Sequence, residues 1–503
     1  MTASAAMSAG GPDAGRRWVA LGVLVCGAFL TNLDVLIVVV AMPALRHGLG
    51  ADPGDQQLIL AGYQLVYGAG VIAGGRLGDT FGSFRVFGIG MTLFTGASTV
   101  CGLAPSAGVL VVARLFQGAG TALMVPQVYR AAQLLFSAER DRRMAFAVIG
   151  AAMGVGAVSG QLVGGWVLAA DVAGLGWRAV FLVNVPVGAG ALALLPWVSG
   201  PRRQRLPSAG QPASARSRPD LDLAGTAVAV GTLGLCTVPL VVGRDLGYPL
   251  WCRLCLVGAL PLAAAFVRHE REVERRGRTP MIPPRLLRST GFRRGLALLT
   301  LINSGVTSFL LVLGLLLQEG LEWGPLATGA GLLPAAGSFA LASLLAPGLA
   351  RLFSDRRLLC LAAAVACAGY AMCAVSAWCG AVPWLMAALG VAGTGMGCFL
   401  APALAMTLRT VAPADSGAAS GVIASVQQLG AALGVCVFGA VFFSLTGAGV
   451  PWLRAFALTT CAVAPTTVAS GVLAALWPVT SRAAPDSSGR THGRGDTVPA
   501  DGM

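Results

Sequence analysis

The sequence predicts an all-α integral membrane protein of fourteen transmembrane helices, arranged as two six-helix bundles with an inserted helix pair. Three observations carry that expectation. The chain of 503 residues is 56% apolar and only 11% charged, with a mean hydropathy of +0.76, which excludes an ordinary soluble globular protein. Its apolar runs are continuous over roughly the 17 to 25 residues a helical span requires. They do not alternate as barrel strands would, so helices are the regular way to satisfy the backbone in lipid. Finally, the charges sit in the gaps between runs and are distributed unevenly between the two sides.

The spans are expected at residues 19–41, 57–75, 86–104, 108–128, 145–169, 179–198, 223–243, 250–267, 295–317, 325–347, 358–377, 383–407, 420–445 and 455–477. The chain has no lysine, so its formal net charge of +14 rests on 35 arginines. With the N-terminus on the cytoplasmic side, 29 of the 35 arginines fall on that side and Arg114 falls inside a span. Both termini are therefore expected in the cytoplasm, with the protein in the inner membrane of a bacterium. The composition, rich in Arg, Ala and Gly, is that of a high-GC bacterial coding bias. Because the arginines punctuate the apolar runs and do not cover one soluble domain, no nucleic-acid partner is expected.

The division that follows is a cytoplasmic tail (1–17), a first six-helix bundle (18–199), a linker (200–222), an inserted helix pair (223–267), a basic cytoplasmic loop (268–294), a second bundle (295–477) and a cytoplasmic tail (478–503). The linker is rich in Pro, Ser and Arg and is expected to be flexible, the final tail to be disordered. The loop VRHEREVERRGRTPMIPPRLLRSTGFRRG has the mixed charge of a short amphipathic helix lying on the inner leaflet. The first apolar run is too long for a cleavable signal and lacks a small-residue cleavage site, so it is expected to be retained. Twelve scattered cysteines, without paired CxxC motifs, and three separated histidines, His47, His269 and His492, point to no metal and no disulfide framework.

One carboxylate organises the chemistry. Asp34 is the only ionisable group in the run from Val19 to Pro43, and a charge at bilayer depth marks a pathway or coupling site. The fourth span holds Arg114, with Gln117 three positions on along a neighbouring part of the helix face. Charge arithmetic nominates Asp34 and Arg114 as a coupled pair or as members of one aqueous cavity; the alternative is an Arg114 that snorkels to the outer surface. The loop GGRLGDTFGSFR after the second span offers a tight turn, with Asp79 capping the next helix or pairing with Arg76 or Arg85. Lacking a Gly-Lys-Ser/Thr, it is no nucleotide loop. In the fifth span Gly156, Gly160 and Gly164 recur every four residues as one smooth ridge for helix packing. Asn184, in WRAVFLVNVPVG, needs a helix-to-helix hydrogen bond. Tyr63, Gln64, Tyr67, Asn303, Gln427 and Gln428 are polar groups that either line a cavity, as Gln117 does beside Arg114, or satisfy neighbouring helices.

Together these stretches resemble the fourteen-span drug:proton antiporters of the major facilitator superfamily, over about residues 16 to 477. LDVLIVVVAMP at 33–43 is similar to that family's first-span signature. The loop resembles the superfamily signature through Gly75, Leu77, Gly78, Asp79, Gly82 and Arg85, with Ser83 and Phe84 where basic residues are usual. The fourth span resembles the family motif through Arg114, Gln117, Gly118, Gly120 and Pro126, and the fifth through Gly156, Gly160, Gly164 and Gly165, with Gln161 in the place of a proline. GTGMGCFLAP at 393–402 and QQLGAALG at 427–434 are weaker echoes in the second half.

The resemblance implies a major facilitator fold whose halves pivot about a central site. It implies proton coupling at Asp34 and Arg114, conformational gating by Gly75, Gly78, Asp79, Gly82, Arg85, Gly156, Gly160, Gly164 and Gly165, no cofactor, and H+ as the coupling ion. The expected protein is not an enzyme but a monomeric exporter of a small hydrophobic or amphiphilic drug or antibiotic, conferring resistance or self-protection. Two other classes stay open at this level. A proton-linked importer or facilitator of a small metabolite shares the fold, and a receptor or scaffold predicts no flux.

Overall fold

Each described apolar run folds as a helix, because in a chain this poor in polar side chains the helix is what pairs every backbone N–H and C=O locally. The computed structural model describes residues 12–136, 138–198, 249–276, 280, 284–411 and 416–477, with scattered residues between 224 and 239. In order these are α1 (Pro12–Leu49), α2 (Pro53–Phe81), α3 (Ser83–Gly102), α4 (Ala107–Leu135), α5 (Glu139–Ala170) and α6 (Arg178–Val198). Next come α7 (Leu250–Arg275), over the second span expected in the inserted pair, a short α8 (Pro284–Arg288), α9 (Thr290–Leu315), α10 (Pro325–Leu352), α11 (Asp355–Trp378), α12 (Val382–Arg409), α13 (Ser416–Gly447) and α14 (Trp452–Ala475). Thirteen of the described helices are long and apolar enough to span a membrane. The expected seventh span at 223–243 lies largely outside the described residues, as do the linker at 200–222 and the tail from 478.

Local chemistry sets the helix ends. Asp52 and Asp55 form a reciprocal capping box ahead of α2, whose first residue is Pro53. Ser106, Ser289 and Ser354 cap α4, α9 and α11 through their hydroxyls. Between α2 and α3 the chain turns on Gly82 alone, at φ 89°, a conformation that strains any residue with a Cβ. Within α6 the backbone stays helical through Val183, at φ −61° and ψ −26°, with one irregular turn there. Pro186 explains the irregularity: it has no N–H for the Leu182 carbonyl and its ring crowds that carbonyl.

The fifth-span glycine ridge has a definite partner. A Cβ on Gly156 would meet the Phe29 carbonyl oxygen at 2.5 Å, one on Gly160 the Leu33 oxygen at 2.6 Å and one on Gly164 the Ile37 side chain at 2.8 Å. Helix α5 thus lies directly on the backbone of α1, four residues at a time on both helices, across the stretch that carries Asp34. Gly165 faces the other half instead, where a Cβ would meet the Pro325 carbonyl oxygen at 2.6 Å. Gly329 of α10 packs in turn against the Gln161 carbonyl.

The two halves are sealed at the end remote from the start of α1. Arg46 of α1 pairs with Glu319, and Gln318 donates to the Val40 carbonyl at 2.7 Å. Gln318 and Glu319 belong to a π-helical turn, Leu316–Gly320, that continues α9. Its extra residue per turn re-aims the two polar side chains toward α1. Exposure follows the same division. In α1, Gly22, Val25, Cys26, Phe29, Asn32 and Leu36 keep partial exposure along one stripe, after which Ile37 to Pro43 are all buried. In α9 the stripe Leu296, Thr300, Asn303, Thr307 and Leu310 likewise ends, and Leu311 to Leu317 are all buried. Meanwhile α2 and α13 run antiparallel in contact from Gln57 against Gly439, through Gly68 against Gln428, to Ile72 against Gly421.

Gly160→Ala is expected to force α5 off α1 and cost about 1–3 kcal/mol, as overpacking does. Gly150→Ala, with nothing within 4 Å of the new methyl, serves as the neutral control. Thermal unfolding of the two purified variants in detergent checks this, with several degrees lost by the first and none by the second.

Candidate functional site

Five helices of the first half converge on Asp34. Its own helix α1 supplies the carboxylate, and α4 supplies Arg114 and Gln117 from one face, three residues apart. Helix α2 contributes Tyr63 and the Ile59 carbonyl, α3 contributes Ser98 and Cys101, and α6 contributes Asn184, two residues before Pro186. Close approach of α2 and α4 makes this possible, since a Cβ on Gly118 would run into the Tyr63 carbonyl.

Asp34 and Arg114 are both 0% exposed and form an ion pair through Oδ2 and Nη1. The other carboxylate oxygen, Oδ1, accepts from Gln117 Nε2 at 2.8 Å and from Asn184 Nδ2 at 2.9 Å. Arg114 donates further through Nη1 to Gln117 Oε1 at 2.8 Å and through Nε to the Ile59 carbonyl at 3.1 Å. Its guanidinium lies 4.3 Å from the centroid of the Tyr63 ring, a cation–π contact in a dry setting. Ser98 ties the outer layer together. It accepts from Asn184 Nδ2 at 3.1 Å and Gln117 Nε2 at 3.3 Å, and donates to the Phe181 carbonyl at 2.9 Å. Tyr63 and Thr121 hydroxyls share a bond of 2.9 Å, and Thr121 donates to the Gln117 carbonyl at 3.1 Å.

An ion pair taken this far from water loses several kcal/mol of solvation per charge and is held only if its remaining donors and acceptors are met. Here the carboxylate is met completely by three N–H donors. Arg114 Nη2 and Asn184 Oδ1, by contrast, are buried without a hydrogen-bond partner. The cage is thus matched to an ionised Asp34 and keeps an unused donor and an unused acceptor beside it.

The chain matches the Major Facilitator Superfamily over residues 24–435. It belongs to that superfamily. As a whole it is similar to several actinomycete proteins. It is 35% identical to the "Probable actinorhodin transporter" of Streptomyces coelicolor, over 88% of this chain and 75% of that protein. It is 33% identical to the "Puromycin resistance protein pur8" of Streptomyces alboniger, over 87% and 84%. It is 32% identical to the "Cephamycin export protein CmcT" of Amycolatopsis lactamdurans, over 85% of each. Among solved structures, an auto-inhibited POT family peptide transporter aligns with a TM-score of 0.64 at 15% identity, over 93% of this chain and 99% of that one. A POT family transporter in complex with 5-aminolevulinic acid aligns at 0.63 and 15%, over 89% and 94%. These two share the fold.

In this major facilitator the remaining candidate residues fall into separate places. Tyr63 and Gln117 are part of the sealed cage, not of an open cavity. Gln64 and Tyr67 are also buried on α2, and Gln64 Oε1 has no partner. Asn303, Gln427 and Gln428 retain partial exposure, Asn303 donating to the Leu299 carbonyl of its own helix at 2.8 Å. The stretch expected as a loop after the second span is helical up to Phe81 at the end of α2 and again from Ser83 in α3; within it Gly78 packs against the Gln127 side chain, Gly75 has only an ordinary contact with Pro126, and Gly82 alone makes the turn. Arg76 donates to the Pro280 carbonyl and Arg85 is exposed to solvent at its side chain, while the side chain of Asp79 lies outside the described ones. Among the described residues no cluster of three or more His, Cys, Asp or Glu side chains is placed to hold a metal.

Sequence reasoning missed Ser98, Cys101 and the Ile59 carbonyl, none of which carries a signal outside its tertiary setting. It also missed Glu319 of the π-helical turn. Its pairing with Arg46 was foreshadowed only by opposite charges at the same outer level.

Removing one partner of the pair is expected to cost more than removing both. Arg114→Leu strands the Asp34 charge and should lose about 3–5 kcal/mol, whereas Asp34→Asn with Arg114→Leu should recover more than half of that loss. Thermal or denaturant unfolding of the single and double variants as a double-mutant cycle measures the coupling.

Proposed function

We propose that this chain exports a hydrophobic or amphiphilic antibiotic across the bacterial inner membrane in exchange for protons, with both termini in the cytoplasm and a monomer as the functional unit. The observation that carries the proposal is the fully buried Asp34–Arg114 pair in a cage matched to the ionised carboxylate. A charge held this way has a function other than stability, for apolar residues of the same volume fold at least as well. The relatives, a probable actinorhodin transporter, a puromycin resistance protein and a cephamycin export protein, support export as the direction and an antibiotic as the class of compound.

With the start of α1 in the cytoplasm, the sealed outer end and the partly exposed inner stripes of α1 and α9 describe an inward-open state. A compound enters between the halves past Asn303, Gln427 and Gln428. Outward opening breaks the Arg46–Glu319 and Gln318–Val40 contacts, and Asp34 takes a proton from outside as the compound leaves. Return to the inward-open state delivers the proton to the cytoplasm and restores the pair with Arg114. The glycine seams of α5 on α1 and α10, and the end of α2 at Gly75, Gly78 and Asp79 with the turn at Gly82 and Arg85 just after it, let rigid helices change partners without side-chain collisions. One charge moving inward across about 100 mV supplies about 2.3 kcal/mol, a bias of roughly 50-fold at about 1.4 kcal/mol per decade.

Flux in proteoliposomes under an imposed pH gradient, with puromycin, a cephamycin and a quinone antibiotic as probes, tests the proposal. Uphill movement of at least one probe by the wild-type chain, lost in Asp34→Asn, is the expected result. Uphill movement retained in Asp34→Asn, or none by the wild type for any probe, overturns it. Because the Arg46 side chain is 44% exposed, its pair with Glu319 contributes less than about 1 kcal/mol. Glu319→Gln should therefore raise the outward-open population only about two- to five-fold, read from spin-label distances across the outer ends of α1 and α10.

A further inference from the structure

The cage contains a polar group that the ionised carboxylate does not use. Asn184 is 0% exposed, gives its Nδ2 to Asp34 and Ser98, and leaves its Oδ1 buried without a partner. When Asp34 is protonated it acquires an O–H that needs an acceptor, and burying it unmet costs about 1–3 kcal/mol. Each neighbouring acceptor already receives at least one donor. Gln117 Oε1 receives Arg114 and the Cys101 thiol, the Ile59 carbonyl receives Arg114 Nε, and the Phe181 carbonyl receives Ser98. Arg114 from α4, Tyr63 from α2 and Cys101 from α3 are the titratable groups facing Asp34, and each is a donor or already engaged.

We propose that Asn184 is the positioning residue that reads the protonation state of Asp34, by turning its amide through half a revolution. In the ionised state Nδ2 donates to the carboxylate. In the protonated state Oδ1 takes that place and accepts the acid O–H. The proton on Asp34 comes from water and no other bond is made or broken. The amide's oxygen and nitrogen are nearly the same size, so the turn is sterically allowed, and it moves Nδ2 from its two acceptors to the place where Oδ1 has no partner.

The turn has a further reach. Ser98, which now accepts from Nδ2, must donate to Oδ1 instead, and doing so releases the Phe181 carbonyl. That carbonyl lies in the turn of α6 ahead of Pro186, whose missing N–H already leaves the Leu182 carbonyl without its helical donor. Protonation on α1 is thereby converted into a loosened turn in α6. The proposal rests on Asp34 being the coupling carboxylate.

Infrared difference spectra of the purified chain in vesicles, acid minus alkaline, contain the acid carbonyl band of Asp34, isolated by subtracting the spectrum of Asp34→Asn. In Asn184→Leu the band is expected at higher wavenumber, as for an acid without an acceptor, with proton-driven puromycin flux down about tenfold, the worth of one hydrogen bond. Asn184→Thr, whose hydroxyl rotates to donate or accept, should return both toward wild type. Asn184→Ala carries the same test should the leucine not fold. A band that stays in place in both apolar variants overturns the inference while leaving Asp34 as the coupling group. Absence of any band lost in Asp34→Asn removes the coupling group itself, and the inference with it.

Discussion

A carboxylate and a guanidinium, both without contact to solvent, are the constraint around which the first half of this transporter is built. Neither charge is tolerable alone at that depth, and together they are tolerable only because Gln117, Asn184, Ser98 and the Ile59 carbonyl meet what the pair leaves open. Each of these partners comes from a different helix or turn. The polar cage therefore does for the first bundle what a hydrophobic core does for a soluble domain: it fixes which helices are neighbours and how they are rotated. Apolar surfaces in lipid give little preference among partners, so a single dry network of this kind has a disproportionate influence on register.

The glycines serve the same end by another route. Where α5 lies on α1, the backbones themselves touch along Phe29, Leu33 and Ile37, and Asp34 is the residue beside the middle contact. Any displacement of α1 against α5 thus moves the very stretch of backbone that carries the carboxylate. Gly165 and Gln161 extend that helix to the opposite half at Pro325 and Gly329. One rigid element thereby touches both the helix that carries Asp34 and the seam between the halves. Proton coupling as proposed requires two arrangements of these packed elements, and Asn184 Oδ1 and Arg114 Nη2 are the buried groups without a partner in the present one.

Much of this was legible in the sequence, for physical reasons. Spans follow from apolar length, and Asp34 and Arg114 stand out because they are ionisable groups where lipid forbids isolated charge. Gln117 follows from helical spacing. The glycine ridge was visible as a period of four, but not its partner, since helix-to-helix pairing depends on tertiary contact and α1 offers no matching period. Ser98 was illegible because a serine among small residues reads as packing. The π-helical turn that aims Gln318 and Glu319 at α1 was illegible as well, because one extra residue in a turn leaves no compositional trace. Tyr63 carried a signal of polarity but not of place: its ring lies against a buried cation and not along an open path.

The most direct test is whether Asp34 exchanges its pairing with Arg114 for a proton. A hydrophobic carbodiimide reacts with protonated carboxyl groups in apolar surroundings, and mass spectrometry locates the adduct. Labelling of Asp34 that rises as the pH is lowered and falls when a transported antibiotic is added is the predicted result. An Asp34 that stays unlabelled at every pH, with the transporter turning over, would contradict the account, because the carboxylate would then be a fixed structural ion and not the group that carries the proton.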